Sequence, residues 1–108
     1  MANVFTNAKK DLTTNSETVV YTVPASTTGI VKSILVSEDS GNADTITLTL
    51  TDASSNVFSL YKTKAVSANE TIELLSHPIV LQESEAIKAT AATGNRLHNV
   101  LSVLQINR

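Results

Sequence analysis

The sequence predicts an all-β domain: an antiparallel β-sandwich of about eight short strands, either jelly-roll-like or immunoglobulin-like. Three observations lead to this fold class. Apolar and polar residues alternate strictly in Asp44–Thr51, and turn-forming residues recur roughly every 8–12 residues along the chain. Charged residues make up only 17% of the chain, against about 25% in ordinary soluble domains, and Thr, Ser and Asn take their place.

The segment Asp44–Thr51 reads D-T-I-T-L-T-L-T, so aliphatic residues alternate with threonines. A repeat of two puts the aliphatic side chains on one face of a strand and the hydroxyls on the other, whereas a helix would scatter both sets. We expect the aliphatic face to lie in the core and the hydroxyl face to meet solvent or a neighbouring subunit. The candidate interface residues on that face are Thr45, Thr47 and Thr49.

The other strands are predicted from less regular alternation between turns. They are Glu17–Val23, Gly29–Ser37, Asn56–Ala65, Glu70–Leu75, Ile79–Leu81, Ala86–Ala91 and Asn99–Ile106. Gly29–Ser37 carries apolar residues on both faces, which predicts a central strand. Ala86–Ala91 is assigned to a strand instead of a helix because its apolar and polar residues alternate.

A length of 108 residues fits one domain. We expect residues 1–15 to form an N-terminal arm or first strand and residues 16–108 to form the sandwich domain. As an arm, this segment would dock on a neighbouring subunit through the candidate interface residues Val4, Phe5 and Leu12. The alternative is a first strand that stays within the domain.

Composition argues against several partners. The net charge is −2 and the basic residues are scattered, whereas nucleic-acid binding needs clustered Lys and Arg. No apolar run approaches the roughly 20 residues of a membrane-spanning helix, and no signal peptide is visible. The chain has no cysteine, which rules out disulfides and thiolate chemistry and favours folding in a reducing cytosol.

No constellation of residues predicts a catalytic, cofactor-binding or metal site, so we expect the protein not to be an enzyme. His77 and His98 are isolated in sequence and are interpreted as ordinary polar residues. The acidic segment Glu38–Asp44 lacks the ligand spacing of a calcium loop and is interpreted as a turn. A sugar-binding platform would depend on Tyr21 or Tyr61, because only two Tyr, two Phe and no Trp are present.

The stretch Val19–Ser37, V-V-Y-T-V-P-A-S-T-T-G-I-V-K-S-I-L-V-S, resembles small virion structural proteins of tailed bacteriophages. In those chains a Y-T-V-P-A turn leads into an I-V-K-S-I-x-V-S strand. A Thr-rich strand, an E-x-I-K-A-T-A strand and an aliphatic C-terminal strand follow. Here Asp44–Thr51, Glu85–Ala91 and Val100–Ile106 occupy those places, so the resemblance covers most of the chain after about Ser16.

The resemblance implies a non-enzymatic virion structural protein without cofactors, most specifically a capsid decoration or cement protein on the outer surface of a phage head. Its implied partners are the major capsid protein or other virion proteins. The protein would assemble in the host cytoplasm as a homo-oligomer, with a trimer matching the local threefold positions of a shell. Two alternatives stay open: a neck, tail or fibre-base adaptor, and a carbohydrate-binding or adhesin module.

Overall fold

The computed structural model describes residues 3–107, which form nine β-strands and no helix. Residues 1, 2 and 108, at the ends of the two predicted ranges 1–15 and 16–108, lie outside the described residues. The strands are β1 (Asn3–Leu12), β2 (Thr18–Thr22), β3 (Thr27–Glu38), β4 (Asp44–Thr51), β5 (Val57–Val66), β6 (Thr71–Glu73), β7 (Ile79–Leu81), β8 (Ala86–Ala91) and β9 (Leu97–Asn107).

The strands form two antiparallel sheets packed face to face, as predicted for a β-sandwich. Sheet A has the order β1-β9-β3-β6, and β7 also pairs with β3. Sheet B has the order β2-β8-β4-β5. β3, predicted to be central, lies inside sheet A with neighbours on both sides.

The pairing follows the wrapping of a jelly roll. β1 pairs with β9, β2 with β8, β3 with β6 and β7, and β4 with β5, so the chain forms one long set of nested hairpins. This ribbon is rolled up so that β9 also pairs with β3 and β8 also pairs with β4. Of the two predicted topologies, the strand order is therefore that of a jelly roll.

The core lies between the sheets and is almost wholly aliphatic. Its largest fully buried apolar side chains are Leu12, Ile34, Ile46, Leu48, Leu81, Ile87, Leu97 and Leu101. Each of them contributes roughly 1.5–3 kcal/mol by leaving water. Both sheets supply this core, so neither would retain a buried face if the other unfolded.

A bulge in β3 changes which of its residues face the core. The register against β9 shifts between Val31 and Ser33, so the inward-facing positions change from Val31 to Ile34. The carboxylate of Glu73 on β6 binds the backbone and side chain next to the bulge: Oε2 accepts the Ile34 N–H at 2.7 Å, and Oε1 accepts the Ser33 hydroxyl. Burial alone would raise the pKa of Glu73, but hydrogen bonds with Ser33, Ile34, Leu75 and Leu74 together outweigh it and lower the pKa.

Candidate interaction surfaces

The outer face of sheet A carries a continuous row of apolar side chains. Phe5 lies opposite Leu104, Leu104 opposite Ile30, and Ile30 opposite Val80. Directly opposite residues project from the same face of a sheet, so these four side chains run across β1, β9, β3 and β7. Phe5 is 76% exposed and Val80 54%, while Ile30 and Leu104 are half-buried. We call these four residues the apolar row.

A second row crosses the same face nearer its other end. It runs from Lys9 to Val100, Leu35 and Glu73, so an apolar centre is flanked by a cation and a carboxylate. Val100 and Leu35 are both 37% exposed. Apolar side chains standing together on an exposed face are typical of surfaces that bind other proteins.

The threonine face of β4 is only partly available. Thr45 and Thr47 are half-buried on the outer face of sheet B, and the Thr47 hydroxyl accepts the Thr63 N–H at 3.1 Å. Thr49 and Thr51 are buried, and their hydroxyls have no hydrogen-bond partner among residues 3–107. Thr49 lies between Ser59 and Lys88 of the neighbouring strands, which cover it.

The residues predicted for the interface do not form one surface. Val4 and Phe5 lie on β1 of sheet A, at 42% and 76% exposure, whereas Thr45 and Thr47 lie on sheet B. Leu12 is only 1% exposed and belongs to the core, because it occupies an inward position opposite Leu97. Leu12 and the buried Thr49 are therefore not accessible to a partner in this structure.

Five outward-facing apolar residues of sheet A were not predicted from the sequence to lie at the surface: Ile30, Val80, Leu35, Val100 and Leu104. The four residues on β3 and β9 could have been found from the sequence, because both strands have apolar residues on both faces. One face of a sandwich strand is enough to build the core, so apolar residues on the other face point to a partner or a half-covered surface.

The acidic turn after β3 is organised by one carboxylate. Glu38 is buried, and its Oε1 accepts the backbone N–H groups of Gly41 and Asn69, each at 3.0 Å. Its Oε2 accepts the Ser40 N–H at 2.9 Å and also the Ser40 hydroxyl. Burial alone would raise the pKa of Glu38, but these hydrogen bonds outweigh it and lower the pKa from 4.5 to about 2. The carboxylate thus joins the β3–β4 turn to the β5–β6 turn.

The two histidines lie apart. His77 is exposed in the turn between β6 and β7. His98 at the start of β9 lies between two carboxylates, with Nε2 3.3 Å from Asp11 and Nδ1 3.5 Å from Asp39. No group of three or more His, Cys, Asp or Glu residues within the described range could hold a metal ion. No helix long and apolar enough to cross a membrane occurs between residues 3 and 107.

The tyrosines do not form a sugar-binding platform. Tyr21 is 9% exposed, and its hydroxyl accepts a hydrogen bond from Gln105 at 2.8 Å. Tyr61 is half-buried against the core and donates its hydroxyl proton to the Leu74 carbonyl oxygen at 2.6 Å. The well-exposed aromatic rings are instead Phe5 and Phe58, on edge strands of different sheets.

Comparison with known proteins finds similar folds among solved structures only. No protein-family model and no curated protein sequence matches the chain. Among solved structures, a chain from the acid-stable capsid of Helicobacter pylori bacteriophage KHP30 is similar with a TM-score of 0.54 and 12% identity. The match covers 97% of this chain and 87% of that one.

Two further structures share the fold at lower sequence identity. A subunit of the disulfide-linked pili called Bacillus endospore appendages matches with a TM-score of 0.54 and 7% identity, over 98% of this chain and 85% of that one. A chain of infectious bursal disease virus, Gx strain, matches with a TM-score of 0.56 and 6% identity, over 97% of this chain but only 30% of that longer chain. At these identities the likeness establishes a common β-sandwich fold.

Proposed function

We propose that this chain is a non-enzymatic structural protein of a phage virion, and specifically a decoration protein that binds the outer surface of the head. The observation that carries the proposal is the apolar row across the outer face of sheet A. A domain that works alone gains nothing from presenting Phe5 and Val80 to water in line with Ile30 and Leu104.

The fold and the sequence resemblance both support this assignment. A jelly-roll sandwich is shared with a chain of a phage capsid, and the Val19–Ser37 stretch resembles small phage virion proteins. The partner would be the major capsid protein or another virion protein, and assembly would take place in the host cytoplasm.

The apolar row is small, which suits a subunit that attaches through many repeated sites. Burying one large apolar side chain contributes roughly 1.5–3 kcal/mol, and part of that gain is lost when the subunit becomes immobile on its partner. A single row therefore gives a weak contact, whereas a closed oligomer engaging several sites gains avidity. The resemblance implies a trimer for that oligomer.

Copy number in purified particles tests the proposal. We expect the protein to sediment with particles of its phage and to be present in hundreds of copies, on the order required by a symmetric shell. About a dozen copies would point to a neck or tail ring instead. Recovery only from the soluble lysate would overturn a virion role altogether.

Two valines of similar exposure, one inside the apolar row and one outside it, test whether the row is the contact surface. Val80 lies in the apolar row and Val57 lies at the start of β5 in sheet B, and the two are similarly exposed at 54% and 60%. We expect Val80→Asp to abolish binding to heads that lack the protein, while Val57→Asp binds like the wild type. Equal binding by both variants, each with an unchanged thermal midpoint, would show that the row is not the contact surface.

A further inference from the structure

Three of the four sheet edges are protected against pairing with another chain. Two bulges interrupt the pairing of β5 with β4. β2 is only five residues long, and it has a bulge after Val19. The opposite edge of sheet A consists of β6 and β7, each three residues long, with Pro78 between them. Short, bulged and proline-interrupted edges are the devices by which proteins prevent edge-to-edge association.

The fourth edge, β1, has none of these features. β1 is ten residues long, contains no proline, and pairs with β9 from Asn3 to Leu12 without a register shift. No other described strand pairs with it, so its second edge presents backbone donors and acceptors to solvent. The charged residues of β1, Lys9, Lys10 and Asp11, are confined to its last four positions, so β1 is the longest uninterrupted edge of the four and the one best able to accept a partner strand.

We propose that this partner is β1 of a second copy of the chain, paired antiparallel across a two-fold axis with Asn7 opposite Asn7. The two sheets A would then form one continuous sheet through the interface. The proposal goes beyond attachment to a virion, because it concerns the free protein in solution.

Side-chain chemistry favours this register. Opposite residues must share a face, and the outward-facing residues of β1 are the odd-numbered ones, since Phe5 and Lys9 lie opposite the outward-facing Leu104 and Val100. With Asn7 opposite Asn7, Lys9 of one copy lies opposite Phe5 of the other, a favourable cation–aromatic contact. Asp11 then faces Asn3, and no like charges lie directly opposite.

Registers displaced towards the C-terminal end of β1 are less favourable. Centring the pair on Ala8 sets the Phe5 ring opposite the Asp11 carboxylate, and centring it on Lys9 sets two ammonium groups opposite each other. Like charges directly opposite destabilise a strand pair. The chosen register also joins the apolar row of one copy to the second row of the other, through Phe5 and Lys9.

The area of the contact sets its expected strength. A ten-residue strand is about 33 Å long, and a strip about 10 Å deep along it covers roughly 330 Å² per copy, well below the roughly 800 Å² of a standard interface. We therefore expect a reversible dimer at high protein concentration. A two-fold contact produces even-numbered oligomers, in contrast to the trimer implied by the resemblance.

A cysteine placed at the two-fold axis tests the pairing directly, because the native chain contains none. Opposite Cβ atoms in an antiparallel pair are about 4.5–5.5 Å apart, close enough for a disulfide after small adjustment. We expect Asn7→Cys to form a covalent dimer in a thiol–disulfide buffer. The matched control is Ser59→Cys, an exposed position on the bulged edge β5, which should stay monomeric. Equal dimer yields from the two variants would overturn the proposal.

A charge at the same position provides the complementary test. Asn7→Lys places two lysines opposite each other while leaving the β9 side of the strand unchanged, so the variant should stay folded and lose the dimer. Sedimentation of the wild-type protein should show a concentration-dependent dimer. A wild-type trimer, or a monomer at every concentration, would refute the two-fold contact. Neither result bears on head binding, which the Val80 and Val57 pair tests separately.

Discussion

Glu38 shows how one buried side chain can hold together two loops that are distant in sequence. Its carboxylate accepts three backbone N–H groups and one hydroxyl, from Ser40, Gly41 and Asn69. A carboxylate that accepts several N–H groups is stabilised in its charged form, which is why its pKa falls despite burial. The acidic turn predicted from sequence is thus organised from within by its first residue.

This arrangement predicts how stability depends on pH. The pKa of Glu38 falls from 4.5 to about 2 on folding, so its contribution is complete above about 4.5 and is lost as the pH falls towards about 2. Glu38→Gln should lower the thermal midpoint at neutral pH and flatten its decline over that acid range. The measurement is thermal unfolding as a function of pH.

The control for this experiment is Glu70→Gln in the β5–β6 turn. Glu70 is exposed, and its carboxylate accepts one backbone hydrogen bond, from the Ser67 N–H at 3.1 Å. Its variant should keep the wild-type pH profile. A Glu38→Gln profile that runs parallel to that of the wild type would show that the Glu38 carboxylate does not contribute to the acid sensitivity.

At the scale of the element, β5 shows how bulges change a strand that looks regular in sequence. Its register against β4 shifts between Ile46 and Leu48 and again between Leu48 and Thr49. The first shift coincides with Thr63, whose φ of 48° lies in the left-handed region. A β-branched residue is unfavourable there, at a cost of roughly 1–2 kcal/mol.

Replacing Thr63 by a residue that tolerates this conformation should therefore stabilise the protein. We expect Thr63→Asn to raise the free energy of unfolding by about 1 kcal/mol, because Asn adopts positive φ more readily. The same change at Thr45, in the regular strand β4, should lower it because Asn is disfavoured in strands. Urea unfolding of both variants checks the opposite signs, and a loss of stability at both positions would contradict the argument.

The sequence was most informative where alternation is local and regular. The predicted bounds of β4, β7 and β8 coincide with those observed, and those of β5 differ by one residue at each end. β6 is shorter than predicted, and β9 begins two residues earlier, at Leu97. These errors lie at strand ends, where flanking residues are compatible with either state.

Features that depend on distant partners could not be predicted from local pattern. Burial of Thr49 depends on the neighbours that β5 and β8 bring to it, and burial of Leu12 depends on its pairing with Leu97. The choice of a jelly roll over an immunoglobulin-like order rests on β1 pairing with β9 across nearly the whole chain. The apolar row is similarly assembled from four separate strands.

For the whole molecule, the shared core predicts a single unfolding transition. Leu48 of sheet B and Leu101 of sheet A are both fully buried in the same cluster. Truncating either to Ala should lower the free energy of unfolding by about 2–5 kcal/mol. Because each sheet depends on the other for burial, circular dichroism and tyrosine fluorescence should report the same midpoint for each variant. Separate midpoints would show that the sheets unfold independently.

The position of β9 affects how the protein is made. β9 lies between β1 and β3 in the interior of sheet A, so until residues 97–107 have left the ribosome β1 has no partner strand and β3 lacks its longest one. We therefore expect nascent chains to remain unfolded until β9 has emerged. A stop codon before Leu97 would remove the middle of a sheet and leave a product that proteases degrade.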